Sequence, residues 1–340
     1  MRDAEINTLY SPRTEQYTLS KRVAVTRENA TVRIMMMAGG DLEQDFRNKY
    51  HVSVVPLLTR MGRSDVLDRG DTKEAIHAYS AGLLPKPHAA QPIGITVNQI
   101  RDFILERIAH DWTQCVLIVP ALAHNRSLDL AVQAAQQVSL AINRLRKSSV
   151  VPLPFQLAVI ESGLFSAGTG VLAFDAVARS HVGLFGDRLV HHLEGMRKLT
   201  HMFVALKDYS YLEGDTEQLC AQPWDFSSKV MALFGYSPVF YVNFGRAVPV
   251  KRLRGYEARV NYVLQRCIDG IESGLKTPGV CISYAGQVSA IEQFPMWTTL
   301  VQRARAKKIR LMATPMSVSE AVRMGPGAVC GAFASSNFRP

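Results

Sequence analysis

The sequence predicts an α/β protein of two domains, and three observations carry the prediction. Short apolar runs of strand type alternate with helix-type segments from residue 32 to about 195. The first two runs are separated only by residues 38–50, a compact βαβ crossover that favours parallel strands. Strand and helix patterns then continue beyond residue 200, and a chain of 340 residues suits two domains better than one. The expected division is a polar N-terminal extension over 1–30, an N-terminal α/β domain over 31–195 and a C-terminal α/β domain over 196–340. The first domain is expected to hold a largely parallel sheet flanked by helices.

Each element has its own signal. Val32-Arg33-Ile34-Met35-Met36-Met37 is a strand ended by Ala38-Gly39-Gly40-Asp41, and Leu42–Asn48 is helical. His51–Leu58 reads as the second strand. Thr72–Leu83 is amphipathic, and Lys86–Pro92 reads as a loop. Val97–Ala109 has helical spacing through Ile100, Phe103, Ile104 and Ile108. Cys115–Pro120 is a buried-type strand, Leu128–Leu145 an Ala- and Leu-rich helix, and Phe155–Ile160 another strand. A helix follows over Val171–Ala178. The second half offers a strand at Met202–Leu206 and a hairpin over Pro238–Val250 that turns at Asn243–Arg246. Glu257–Ile271 is helical, Val280–Ala285 a strand, Met296–Ala306 a helix and Ile309–Thr314 a strand. Near the end, Met324-Gly325-Pro326-Gly327 is a turn between apolar runs.

Composition narrows the function classes. Apolar residues make up 47% and charged residues 20%, an ordinary soluble balance. No run is long enough to span a bilayer. The first residues carry acids and no apolar core, so no secretory signal is expected. The five cysteines are scattered without metal-type spacing, which suits buried thiols in a reducing cytoplasm. The net charge of +10 is concentrated at Arg144–Lys147, Lys251–Arg254 and Arg303–Arg310. Solvated faces are the ordinary reading, and no aromatic ladder interleaves them, so no specific nucleic acid is expected.

Ligands of parallel sheets sit beyond the carboxyl ends of the strands. Here those ends carry mostly small apolar residues, with His88, His124, Asn125, Glu161 and Ser162 as the polar candidates. Ala38-Gly39-Gly40 is not a dinucleotide fingerprint, Gly168-Thr169-Gly170 is too short for a phosphate loop, and Ser162 is not in a nucleophile elbow. Glu161 and His124 form a possible acid/base pair; a helix-capping Glu and a surface His are the plainer reading. His191-His192 reads as paired surface imidazoles. A lip of this kind suits an apolar ligand, since each buried CH₂ contributes about 0.8 kcal/mol.

Several runs, in order, resemble the DegV family of bacterial fatty-acid-binding proteins. Val54-Val55-Pro56-Leu57 is similar to its Val-Val-Pro-Leu strand, and Gln91-Pro92 to the end of its Thr-Ser-Gln-Pro loop. Ala131–Ala135 falls where its helix carries alanines. Val159-Ile160-Glu161-Ser162 with Gly168-Thr169-Gly170 is similar to its Val-Ile-Asp-Ser and glycine pair. Gly235-Tyr236-Ser237-Pro238, Gly245, Pro249 and Arg254-Gly255 resemble its second-domain elements, and Met324-Gly325-Pro326-Gly327-Ala328 its closing His-Thr-Gly-Pro-Gly-Ala. The resemblance spans about residues 32–334.

The resemblance implies two α/β domains with a fatty acid between them. It implies an acyl carrier that presents the carboxylate to a separate ATP-dependent fatty acid kinase subunit. It implies no catalytic residue, metal or cofactor in this chain. The implied ligand-binding positions are Ala89, Ala90, Gln91, Asn125, Ser127, Ser162, Arg323 and Gly325. Four places depart from the family pattern. The Thr-Ser pair is Ala89-Ala90, the serine of its Ser-Gly-Thr turn falls near Asn125 in Asn125-Arg126-Ser127, the histidine before Gly-Pro-Gly is Arg323, and the Asp-Ser of the first strand end is near Met37-Ala38. Asn125, Ser127 and Arg323 are the expected substitutes, with Arg323 able to pair a carboxylate bidentately. The competing expectations are a protein of the same fold that has lost lipid binding and acts by interaction, and an enzyme using Glu161 and His124.

Overall fold

The run that ends at Gly39-Gly40 lies at the centre of a parallel sheet. In the computed structural model, which describes residues 32–61, 64–84, 90–107, 112–121, 127–147, 155–212 and 235–340, this run is β1 (Val32–Met37). It leads through α1 (Gln44–Lys49) to β2 (Ser53–Val55), with Met35 in register with Ser53 in a parallel pair. The second predicted strand does not continue to Leu58. Pro56 offers no N–H to the ladder, and the chain leaves the parallel sheet there. β3 (Leu57–Met61) instead pairs antiparallel with β4 (Ser64–Asp68). α2 (Thr72–Ser80) follows, capped by Asp71, whose carboxylate accepts the Lys73 N–H at 2.7 Å. The stretch around Gln91-Pro92, read as a loop, is strand β5 (Ala90–Gly94), which pairs with β3 and completes a small sheet of order β4-β3-β5. β5 is an edge strand, where proline is tolerated.

α3 (Val97–Arg107), β6 (Gln114–Val119), α4 (Ser127–Lys147) and β7 (Gln156–Glu161) complete the first half. The parallel sheet has the order β2-β1-β6-β7, and every residue of β6 is buried. That burial explains why β6 reads as an unbroken apolar run. α5 (Ser166–His181) starts five residues earlier than the sequence pattern suggests, because Gly168 and Gly170 weaken the helical signal. α6 (Gly186–Met196) follows.

The second half is built on a mixed six-stranded sheet of order β10-β9-β8-β13-β11-β12. β8 (Thr200–Ala205) precedes the hairpin of β9 (Tyr236–Asn243) and β10 (Arg246–Arg254). Its two-residue turn is Phe244-Gly245, both at positive φ, the conformation a tight hairpin demands. α7 (Tyr256–Ser273), β11 (Gly279–Tyr284), α8 (Pro295–Ala306) and β12 (Arg310–Pro315) come next. The β11–β12 pair is parallel and the other pairs are antiparallel. The chain closes with α9 (Val318–Met324), the Gly-Pro-Gly turn and β13 (Val329–Ala334).

α5 lies between the halves, touching β1 and β6 on one side and β8, β11 and β13 on the other. Ser166 to Val177 are all buried. One apolar cluster therefore runs through both halves, joining Met36 and Ile118 to Met202, Met312 and Cys330. A second cluster, centred on Phe203, Val263 and Phe333, belongs to the mixed sheet and α7. Burying each such side chain contributes about 1.5–3 kcal/mol. Among the described residues no helix is long and apolar enough to cross a membrane.

Candidate functional site

The carboxyl ends of the parallel strands meet the start of α9, and the meeting is polar. Asp41, in the turn after β1, is almost fully buried. Its Oδ2 accepts the Ser166 hydroxyl at 2.6 Å, and its Oδ1 accepts the Ser317 backbone N–H at 2.9 Å. One carboxylate thus links the β1 turn, α5 and the β12–α9 connection. Burial pushes the Asp41 carboxyl above the ordinary range, and the bonds from Ser166 and Ser317 pull it partly back. The close approach of α5 is possible because position 170 is glycine: a Cβ there would lie 1.9 Å from the Asp41 carbonyl oxygen. A small polar pocket opens beside this junction, lined by Asp41, Arg47, Gly70, Thr72, Thr314 and Ser317.

α9 sits on the small sheet and α2. Val318 and Val322 pack with Ala75 and Ala78 of α2 and with Met61 of β3. The Asp68 carboxylate accepts the Ser319 N–H at 2.7 Å, and the Tyr79 hydroxyl donates to the Met316 carbonyl. Every residue of α9 is buried, including two charged ones. Nη1 of Arg323 lies 3.3 Å from both carboxylate oxygens of Glu320, and both residues are 5% exposed or less. Gly325 ends the helix at φ 78°, where a Cβ would also strike the Tyr211 ring at 2.5 Å.

The predicted site residues fall in several places. Ala89 and Asn125, with His88 and His124, lie outside the described residues, so the Glu161–His124 pairing does too. Ala90 and Gln91 are in β5, in register with Met61 and Arg60 of β3. Ser127 opens α4 at the end of the parallel sheet; it is buried, and its hydroxyl has no hydrogen-bond partner. The Ser162 hydroxyl donates to the Leu164 carbonyl at 2.7 Å, accepts the Leu164 N–H and lies 3.0 Å from Thr169 Oγ1, so it ties the turn from β7 into α5. Arg323 and Gly325 stand together at the end of α9. Glu161 ends β7, and its carbonyl accepts from Arg197. Of His191-His192, His191 is an exposed imidazole as expected, whereas Nε2 of His192 lies 2.6 Å from the fully buried carboxylate of Asp175.

Sequence reasoning missed Thr59, Asp41 and Glu320. Thr59 is fully buried on β3, and its hydroxyl has no partner. Alternation along the strand puts it on the same face as Met61, the face that meets Val318 and Val322. It is in register with Pro92, next to Ala90-Gln91. The Leu57-x-Thr59-x-Met61 alternation was readable; its pairing with β5 was not.

Comparison with known proteins gives the fold and the family. The family model described as an uncharacterised protein of the DegV family matches residues 31–336. A DegV domain-containing protein of Xanthomonas campestris pv. campestris is 25% identical over 303 residues, 89% of this chain and 96% of the relative. The crystal structure of a stearic acid-binding protein from Eubacterium ventriosum matches with a TM-score of 0.68 at 17% identity, covering 89% of this chain and 98% of that one. A DegV family protein from Thermus thermophilus, described by its fatty acid binding, matches with a TM-score of 0.65 at 18% identity, over 89% and 99% of the two chains. With its family match running from before β1 to beyond β13, the chain belongs to the DegV family.

Proposed function

We propose that this chain binds a fatty acid or a related acyl lipid between its two halves, divided as 31–195 and 196–340. The observation that carries the reading is that two of the four buried hydroxyls without partners among the described residues are Thr59 beside β5 and Ser127 at the end of the parallel sheet; the other two are Thr277 and Ser283. An unsatisfied buried hydroxyl costs about 1–3 kcal/mol, and a ligand's polar end offers the missing partner. The apolar part has an adaptable seat. Met36, Met37, Met316 and Met324 belong to the cluster that joins the halves, and unbranched thioether chains shift readily around a guest. Fatty acid binding by solved proteins of this fold supports the same class of ligand.

In this reading the chain is a carrier and not an enzyme. It presents the head group to a separate ATP-dependent kinase subunit in the cytoplasm, and Arg323, Gly325, Ser127 and Ala90-Gln91 are the described residues assigned to its polar end. The test is native mass spectrometry of the purified protein before and after solvent extraction. An acyl lipid at about one per chain is expected. Thr59→Val is expected to reduce retention about tenfold while leaving the fold as stable as before or slightly more so, because the hydroxyl it removes has no partner. A clean apo mass that stays unchanged when acyl lipids are added would sink the carrier reading and favour an interaction protein of the same fold.

A further inference from the structure

We infer that the polar end of the bound lipid is uncharged, an alcohol, an acylglycerol or a protonated acid, and not a carboxylate. This inference rests on the acyl-lipid reading above. The cation expected to hold a carboxylate, Arg323, has its Nη1 committed to the Glu320 carboxylate, and both residues are buried, so the pair is neutral as a whole. Further carboxylates crowd the same helix. Asp41 and Asp68 accept the backbone N–H groups of Ser317 and Ser319. The Cys330 thiol, 3.8 Å from the Met324 sulfur, is raised well above its ordinary value by burial, with Asp41 and Glu320 adding to the effect. Both carboxylates therefore act on one point beneath α9.

The other titratable groups turned toward α9 are Tyr79 from α2 and Tyr211 before Gly325. Burial holds both phenols, like the Cys330 thiol, above their ordinary values, so all three are neutral at physiological pH. Arg47 reaches Asp41's side of the pocket from α1, but its guanidinium is held by the carbonyls of Leu42 and Gly70. Among the described residues, Asp41, Asp68, Asp71 and Glu320 stand around Arg47 and Arg323, whose guanidiniums already have partners. A further carboxylate entering this buried space would take up a proton instead of staying charged, as burial already favours for Asp41. The hydroxyls of Thr59 and Ser127 suit a neutral head group, since each both donates and accepts. The sequence agrees, with Ala89-Ala90 offering no hydroxyl.

The experiment compares dodecanoic acid with dodecan-1-ol on the full chain, by titration at pH 6 and pH 8. If only the protonated acid binds, its apparent affinity falls about tenfold per pH unit above the acid's own pKa, about a hundredfold across this range, while that of the alcohol is unchanged. Glu320→Gln, which keeps the shape but removes the charge, is expected to raise affinity for the acid at pH 8 by about tenfold and to flatten its pH dependence. Tighter binding of the acid than of the alcohol at pH 8 in the unaltered protein, with no pH dependence, would overturn the inference while leaving the acyl-lipid reading intact. Binding of neither ligand at either pH would overturn the acyl-lipid reading, and the inference with it.

Discussion

α5 and α9 are both buried at the junction of the two halves, yet they are buried on opposite terms. α5 hides Ser166 to Val177 by having little to hide: glycines, alanines and small hydroxyls that bond locally. Its task is close approach, and Gly170 against the Asp41 carbonyl is where the approach is closest. α9 hides all seven of its residues while keeping a carboxylate and a guanidinium inside. A buried ion pair is weak support for a fold, because desolvation consumes most of its Coulomb energy. α5 is therefore read as the joint, and α9 as a buried polar element beside it.

This contrast can be broken by substitution. Arg323→Ala should have the largest effect, about 3–5 kcal/mol, because it removes the cation paired with the buried Glu320 carboxylate. Chemical denaturation measures it, and the double variant Glu320→Gln/Arg323→Met should recover most of the loss. A small loss for the single variant would mean that α9 opens to water and is not the buried surface described. Gly170→Ala should cost about 3 kcal/mol, since backbone faces the new methyl and no flexible side chain can give way. If Gly170→Ala melts with the wild type, α5 is not the joint. Ser162→Ala should cost about 1–2 kcal/mol by unsatisfying the turn into α5. It should leave lipid retention unchanged if the hydroxyl serves only that turn.

The smallest expected effect comes from a buried polar pair outside both helices. Nε2 of His201 donates to the Ser335 carbonyl at 2.9 Å, and Nδ1 lies 2.6 Å from the Tyr241 hydroxyl, which can donate to the neutral ring. Burial lowers its value below the ordinary 6.5, and the Ser335 bond opposes this. The unfolded chain therefore binds a proton first. The stability contributed by neutral His201 is complete above pH 6.5 and is lost as pH falls through the lowered folded value. Melting curves between pH 5 and 7 should show this slope, and His201→Gln should flatten it. An unchanged slope would assign the pH dependence to the carboxylates around α9 instead.

Much of the fold was legible because its signals are local. The apolar runs of β1, β6, β7 and β11, the Asn243–Arg246 turn and the spacing of α3, α4, α7 and α8 depend on neighbours in sequence. The failures share a different cause. Pro56 split one apolar run between two sheets, and the Gln91-Pro92 loop proved to be an edge strand paired with β3. Residues 318–324 were read only as the flank of a turn, since seven residues are too few for a helical period to stand out. Of the proposed site, Ser127, Arg323 and Gly325 were named from the sequence, whereas Thr59 gained its meaning only from strand pairing.

The sequence by itself determined the α/β class, the family and the residue types available at the junction, because periodicity, turn chemistry and motif order are written along the chain. Only the tertiary structure decided which of those residues share one space. The pairing of Glu320 with Arg323, the link from Asp41 to Ser317 and the unpartnered hydroxyl of Thr59 arise between segments brought together by the two sheets and α5. Desolvation and charge pairing are properties of that shared space, and the sequence alone does not define it.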